Sequence, residues 1–364
     1  ALYQIVFLDK IPDAIACNEA VELAKITGHK GVVGFVNGVL RSILRQPEKA
    51  DYVKAAENMP ADEAISLLNS HPLWLVRRWE EEYGANETKM LTAANNATPS
   101  IYFRTNTLKI TRDELLAKLE DANVNAQKSL LVPEAIQVKS PSYIQRLSLF
   151  QSGYFAVQGL ASMLTAHALK PQAGQVIYDL CAGLGGKTLH LAALMENTGK
   201  ILAFDIHKGK LKALQNRALA LGAGNVQALR ADVVELAKEY LGKADGALLD
   251  APCSGWGVLG SRPDIRWRAQ PEHIPGLVKL QRQLLDKAYQ SLAPGGRLVY
   301  STCTINPEEN QGNIGWVLEK YKDLELLDTI QELPPDSRGN LSSSTPMLQL
   351  LPHLHGTEGF FIAV

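Results

Sequence analysis

The sequence predicts an α/β protein: a mostly parallel sheet with helices on both faces, preceded by a small α+β module and an all-helical segment. Three observations predict it. From about residue 151, short apolar runs alternate with helix-length segments, the pattern of strand–helix–strand units. Several of those runs end in Gly or Asp, where the chain must turn. Residues 101–150 instead open on an aromatic, β-branched run and carry seven Lys/Arg against five Asp/Glu.

The first element is a helix over 1–9; the chain begins inside it, so an upstream part is expected. Ile15, Val21, Leu23 and Ala24 continue a helical pattern that Gly28 closes. A second helical segment runs from Gly34 to Arg45 and stops before Pro47. The stretch 47–60 is charged and weakly periodic, and reads as a linker. A further helix around Trp74–Trp79 follows His71-Pro72 and ends near Gly84. Residues 101–107 read as a strand, Thr111–Leu119 as a capped helix and Ala135–Val138 as a short strand. Strands then follow at 176–180, 200–205, 225–231, 246–250 and 297–301, the last after a Pro294-Gly295-Gly296 turn. Helices at 188–195 and 208–221 separate the first three, and Ser342–Thr345 is a polar loop. The expected domains are 1–70, 71–150 and 151–364.

Composition removes several function classes. A net charge of −1 excludes a strongly basic coat, so a nucleic acid has to be held by local patches. No apolar run approaches the ~18 residues of a membrane helix, and no basic-then-apolar leader opens the chain. Four cysteines without a CxxC spacing exclude a disulfide framework and argue against a structural zinc site, which fits a reducing cytoplasm. His71, His353 and His355 lack metal-ligand spacing, so no metal is expected. Cys17 reads as core.

Ligands of open α/β sheets bind beyond the carboxyl ends of the strands. Four such ends are chemically marked here: the turn Cys181-Ala182-Gly183-Leu184-Gly185-Gly186-Lys187, then Asp205, Asp232 and Asp250. Glycines let a backbone approach a ligand and offer N–H groups at a helix start. Asp205, at the end of the next strand, suits a ribose. Neither the dinucleotide G-x-G-x-x-G nor the phosphate loop G-x-x-x-x-G-K-[ST] is met. Cys253 and Cys303 follow two other strands, so both thiols fall on the edge that carries this turn. A cysteine there suits covalent nucleophilic catalysis, and spacing alone does not say which of the two attacks.

Three blocks carry a resemblance: Asp250-Ala251-Pro252-Cys253-Ser254-Gly255; Ser301-Thr302-Cys303-Thr304 with Asn306-Pro307-Glu308-Glu309-Asn310; and His355-Gly356-Thr357-Glu358-Gly359-Phe360-Phe361. With them the chain resembles, over nearly its whole length, the RNA cytosine-5 methyltransferases that use S-adenosylmethionine. Phe103-Arg104-Thr105-Asn106-Thr107-Leu108-Lys109 resembles the family's N-terminal signature. Residues 1–45, with Asn18-Glu19-Ala20-Val21 and Phe35–Arg41, resemble the latter part of a NusB-like domain, which points to the 16S ribosomal-RNA subgroup rather than the transfer-RNA enzymes. One departure stands out: Gly183-Leu184 replace the Ala-Pro pair usual in that turn, and loss of Pro frees the backbone.

The resemblance implies a Rossmann-like, S-adenosylmethionine-dependent methyltransferase domain behind a small RNA-recognition module and a partial NusB-like domain. It implies that Cys303 adds to carbon 6 of cytosine, that Asp250 holds the N3/N4 edge and that Cys253 assists breakdown of the adduct. Residues 181–187 would contact the cofactor, Asp205 its ribose and Asp232 its adenine side, with Lys187 reaching Asp250 or the base. Arg104, Lys109, Arg262, Arg266 and Trp267 are candidates for RNA contact. The partner is then 16S ribosomal RNA, with no membrane and a monomeric, cytoplasmic enzyme. The competing readings are a transfer-RNA methyltransferase, an RNA-binding or antitermination factor with a degenerate catalytic domain, and a nicotinamide oxidoreductase, which lacks its glycine pattern.

Overall fold

The computed structural model describes residues 1–139, 144 and 147–364. It divides into two compact units, Ala1–Ala85 and Asn86–Val364.

The first unit is helical throughout, with its longer helices at Asp13–Thr27, Lys30–Arg45, Ala61–Asn69 and Leu73–Tyr83. The segment read as a linker is partly ordered. Pro47–Ala50 forms a 3-10 turn, and Asp51 accepts from Lys54 N at 3.0 Å to cap a short helix over Tyr52–Ala56. A short acidic cap after a Pro-led turn is enough to start a helix where hydrophobic periodicity is weak. In Leu73–Tyr83, Leu75, Val76 and Trp79 share the buried face, and Gly84 ends the helix at φ +83°.

The second unit holds two sheets. The smaller runs in the order β2-β3-β1-β4 and is antiparallel: β1 Ile101–Thr105, β2 Ala126–Lys128, β3 Ala135–Val138 and β4 Phe155–Val157. β1 and β3 carry the sequence signal; β2 and β4, at three residues each, are too short to show alternation. The helix Arg112–Asp121 opens with a full capping box between Thr111 and Glu114. It packs Leu115 and Leu119 against Phe103 and Phe155, whose rings stack with centroids 4.0 Å apart.

The larger sheet has the order β10-β11-β9-β8-β5-β6-β7. Its strands are β5 Val176–Asp179, β6 Lys200–Asp205, β7 Val226–Arg230, β8 Ala244–Asp250, β9 Leu292–Thr302, β10 Leu348–Leu350 and β11 Phe360–Ala363. β5 to β9 are parallel; β11 and β10 join antiparallel beyond β9. Alternate residues serve opposite faces. Ile177, Ile201, Leu248 and Val299 enter one core cluster, while Tyr178, Leu202, Leu249 and Tyr300 enter the other. Each such full burial contributes about 1.5–3 kcal/mol. The expected turn at Pro294-Gly295-Gly296 is instead a bulged stretch inside β9. Gly295 takes φ +78°, and a Cβ on Gly296 would sit 2.9 Å from the Ala244 carbonyl, so glycine admits a bulge that side chains would block. Strand order reverses about β5, which places the crevice at the carboxyl ends of β5 and β8.

Candidate active site

The turn 181–187 leaves β5 and enters the helix Gly186–Leu194. Gly183 and Gly185 hold φ +56° and +83°. A Cβ on Gly185 would lie 2.6 Å from Leu214, so only glycine fits. Gly183 uses a freedom that alanine would lack, and the turn is fixed by other bonds: Gly183 N donates to Asp205 Oδ2 at 3.0 Å, Arg217 to the Leu184 carbonyl at 2.9 Å and Arg104 to the Gly186 carbonyl at 2.7 Å. Asp205 also accepts from His207 N and Nδ1, at 2.7 and 3.0 Å. Asp232 caps a 3-10 turn through Val234 N and is exposed.

At the end of β8, Asp250 meets Lys187 Nζ at 2.6 Å and accepts from Ser301 Oγ at 3.0 Å. Lys187 also lies 5.1 Å from the Phe360 ring. The Sγ atoms of Cys253 and Cys303 are 3.4 Å apart. The two thiols are unequal. The hydrogen-bond contact with Cys253 lowers the Cys303 pKa; burial and Asp250 oppose this, and Lys187 and Arg262 assist it. The same contact, with burial and Glu309, holds Cys253 well above the ordinary thiol range. Cys303 is therefore the readier thiolate. Burial raises Cys181, and the nearby carboxylates of Asp179, Asp250 and Asp205 add to the shift.

Two groups escaped the sequence reading. Glu309 is buried and accepts from Ser254 N (2.9 Å), Ser254 Oγ, Gln281 Nε2 (2.9 Å) and Asn306 Nδ2 (3.1 Å). Asp179 is buried at the end of β5 and accepts from Thr188 Oγ1 at 2.6 Å. Burial, with Asp250 adding, raises its carboxyl from 3.8 to about 6, against the Thr188 bond. A carboxyl raised in the folded state stabilises below its unfolded value and loses that contribution as pH rises through the folded one. Asp179→Asn is thus expected to gain on the parent protein between pH 4 and 7, by about 3 kcal/mol at most, the equivalent of two pKa units. Urea unfolding of both proteins at several pH values checks it; parallel stability curves would refute it.

The RNA candidates separate. Arg262 and Trp267 are exposed. Arg104 is 2% exposed and bonds Gln158 Oε1 (2.6 Å) as well as Gly186, so its guanidinium ties two parts of the protein together. Arg266 is likewise buried, on Asn96 Oδ1 and the Asn95 carbonyl, both at 2.7 Å. Lys109 caps a helix end through the Ser152 and Ala220 carbonyls, at 2.9 and 2.7 Å. Charge is visible in a sequence; burial is not. The expectation of no metal rested on His71, His353 and His355 and overlooked a different cluster. Glu134, His167 and His190 bring three ligand-type atoms within 4.8 Å. His167 Nε2 lies 2.9 Å from Glu134 Oε1, and His190 touches the same oxygen. Burial opposes it, yet the two imidazoles hold the Glu134 carboxyl well below its usual range, and burial lowers His190 to about 4.

A family model described as 16S rRNA methyltransferase RsmB/F matches residues 166–364, more than half of the chain. The chain belongs to the RsmB/F family of methyltransferases. A ferredoxin-like domain model of RsmF/B-like methyltransferases matches residues 71–145 of this RsmB/F member, and the NusB family model matches 1–45. A probable ribosomal RNA small subunit methyltransferase B of Bacillus subtilis is 36% identical over 371 residues, covering 100% of this chain and 80% of the relative. The ribosomal RNA small subunit methyltransferase B of Escherichia coli is 34% identical over 368 residues, covering 100% and 79%. Among solved structures, PH0851 superposes with TM-score 0.84 at 32% identity, covering 99% of this chain and 79% of that one. NSun6 from Pyrococcus horikoshii, solved with SFG, gives 0.72 at 27% identity, covering 81% of this chain and 98% of that one. No helix among the described residues is long and apolar enough to cross a membrane.

Proposed function

We propose that this RsmB/F member transfers a methyl group from S-adenosylmethionine to carbon 5 of a cytosine in 16S ribosomal RNA, as a cytoplasmic monomer. The observation that carries the reading is the meeting of four side chains: Cys303 against Cys253 at 3.4 Å beyond the ends of β9 and β8, and Asp250 at the end of β8 against Lys187 of the glycine turn at 2.6 Å. That turn fits the cofactor: its glycines leave backbone open at a helix start, and Asp205 stands at the next strand end. When bound, the cofactor supplies an electrophilic methyl sulfonium. Asp205 already carries three bonds from the protein and would hold a ribose by sharing them. Asp232, exposed one strand further on, would face the adenine side.

The target base has to leave its stack to reach this crevice. Cys303 adds through sulfur to carbon 6, and the ring's electron pair moves to carbon 5, which becomes nucleophilic. Asp250, held by Lys187 and Ser301, aligns the N3/N4 edge. After methylation, carbon 5 gives its proton to a solvent water, the freed electron pair re-forms the C5–C6 double bond as the C6–S bond breaks, and Cys303 leaves as thiolate; Cys253 assists this elimination. Arg262 and Trp267 offer phosphate contact and stacking near the Cys253 loop. The test is transfer of labelled methyl from S-adenosylmethionine to unmodified small-subunit ribosomal RNA, with nucleoside digestion. Label in 5-methylcytosine is expected. Label in transfer RNA alone, or in another nucleoside, would overturn the reading.

A further inference from the structure

We propose that Glu309 is the positioning residue that makes the two active-site thiols unequal, holding both cysteine loops in register and keeping Cys253 the hydrogen donor to Cys303. The inference rests on the reading of Cys303 as nucleophile. The Glu309 carboxylate bonds Ser254, Gln281 and Asn306, and acts through the loops that carry the two sulfurs.

The geometry is explicit. Two bonds reach the Cys253 loop, from Ser254 N to Oε2 and from Ser254 Oγ to Oε1. One reaches the Cys303 loop, from Asn306 Nδ2 to Oε1. A fourth, from Gln281 Nε2 to Oε2, comes from the helix Ile274–Ser291, and the same amide donates to the Pro252 carbonyl at 2.9 Å. Ser254 Oγ and Thr304 Oγ1 are 2.7 Å apart, so the loops also meet directly. Four donors on one buried carboxylate leave it well satisfied. Its charge has a second effect. Glu309 raises the Cys253 pKa, though less than the Cys303 bond and burial do. Facing Cys303 are Cys253, Asp250, Lys187 and Arg262; facing Cys253 are Cys303 and Glu309. Glu309 opposes a thiolate at Cys253, while at Cys303 Lys187 and Arg262 work against Asp250, so the carboxylate beside Cys253 helps keep the shared proton there.

Glu309→Gln tests this on the full chain. The amide keeps the shape but loses the charge, and its NH₂ must face groups that donate. Iodoacetamide alkylation, followed site by site by mass spectrometry from pH 6 to 9, reads each thiol without needing RNA or cofactor. In the parent protein Cys303 is expected to react about tenfold faster than Cys253 near pH 7.5, as the readier thiolate. In Glu309→Gln that preference falls below about threefold, and the Cys303 profile moves to higher pH. An unchanged ratio and profile in folded Glu309→Gln would overturn the proposal. Should that variant not fold, Ser254→Ala removes the hydroxyl contacts to Glu309 and to Thr304, leaves the Ser254 N bond to Glu309, and is expected to lower the ratio partway; an unchanged ratio there refutes it equally. Failure of the parent protein to form an RNA adduct would instead count against the nucleophile assignment, because the alkylation ratio is read independently.

Discussion

Cys303→Ala is expected to abolish methyl transfer, by roughly 10⁴-fold or more, since the covalent route has no substitute nucleophile in reach. Cys253 is the other thiol in contact, and it is held protonated by its neighbours. Cys253→Ala should behave differently. It keeps the attack and loses the partner that assists release, so RNA linked to protein accumulates. Denaturing gels with labelled RNA separate the two variants: no band in Cys303→Ala, a strong band in Cys253→Ala and a faint one in the parent. A band surviving in Cys303→Ala would exchange the thiol roles. Loss of cofactor binding in either variant would make both effects indirect, so that affinity is measured alongside.

Lys187→Met is expected to have the next largest effect. Its ammonium is mostly shielded from water and neutralises Asp250 at 2.6 Å. It also favours the Cys303 thiolate. Methionine keeps about the same length beside the Phe360 ring and removes the charge that now faces it. Single-turnover transfer should fall by about 10²-fold, the usual scale for a preorganised charge. The sign of the pH effect follows from the same contact. A lost cation raises the Cys303 pKa, so the acid limb of the rate profile moves to higher pH and the deficit is largest below neutrality. A uniform deficit at every pH would assign Lys187 to binding alone.

The strand ends were legible because glycine, aspartate and proline mark turns by their backbone chemistry, and apolar runs mark buried parallel strands. The turn 181–187, Asp205, Asp232, Asp250 and both thiol positions follow from that logic, before any contact is known. Order between the thiols did not follow, because what surrounds each sulfur is set through space and not along the chain. The burial of Arg104 and Arg266 was hidden for a related reason: the sequence shows an arginine's charge and not which of its neighbours in the fold take up its donors. β10 and β11 were missed because three- and four-residue strands near the chain's end carry too little pattern. Their pairing shows only once β11 lies against β9, with Ile362 opposite Ser301.

The bonds from the small antiparallel sheet into the catalytic sheet's loops also bear on how such enzymes can be recombined. Arg104 satisfies Gly186, Asn106 satisfies Leu221, and Lys109 satisfies Ala220. Each supplies a donor to a carbonyl in the catalytic half: Leu221 and Ala220 lie in the last turn of the helix Lys208–Leu221, whose carbonyls lack intrahelical donors, and Gly186 opens the helix Gly186–Leu194. A catalytic half expressed from residue 151 onward would lose all three donors together, one of them beneath the cofactor turn. The exchangeable piece in this lineage is therefore the pair of sheets taken as one, and a graft that swaps the smaller sheet must bring matching donors at those three positions.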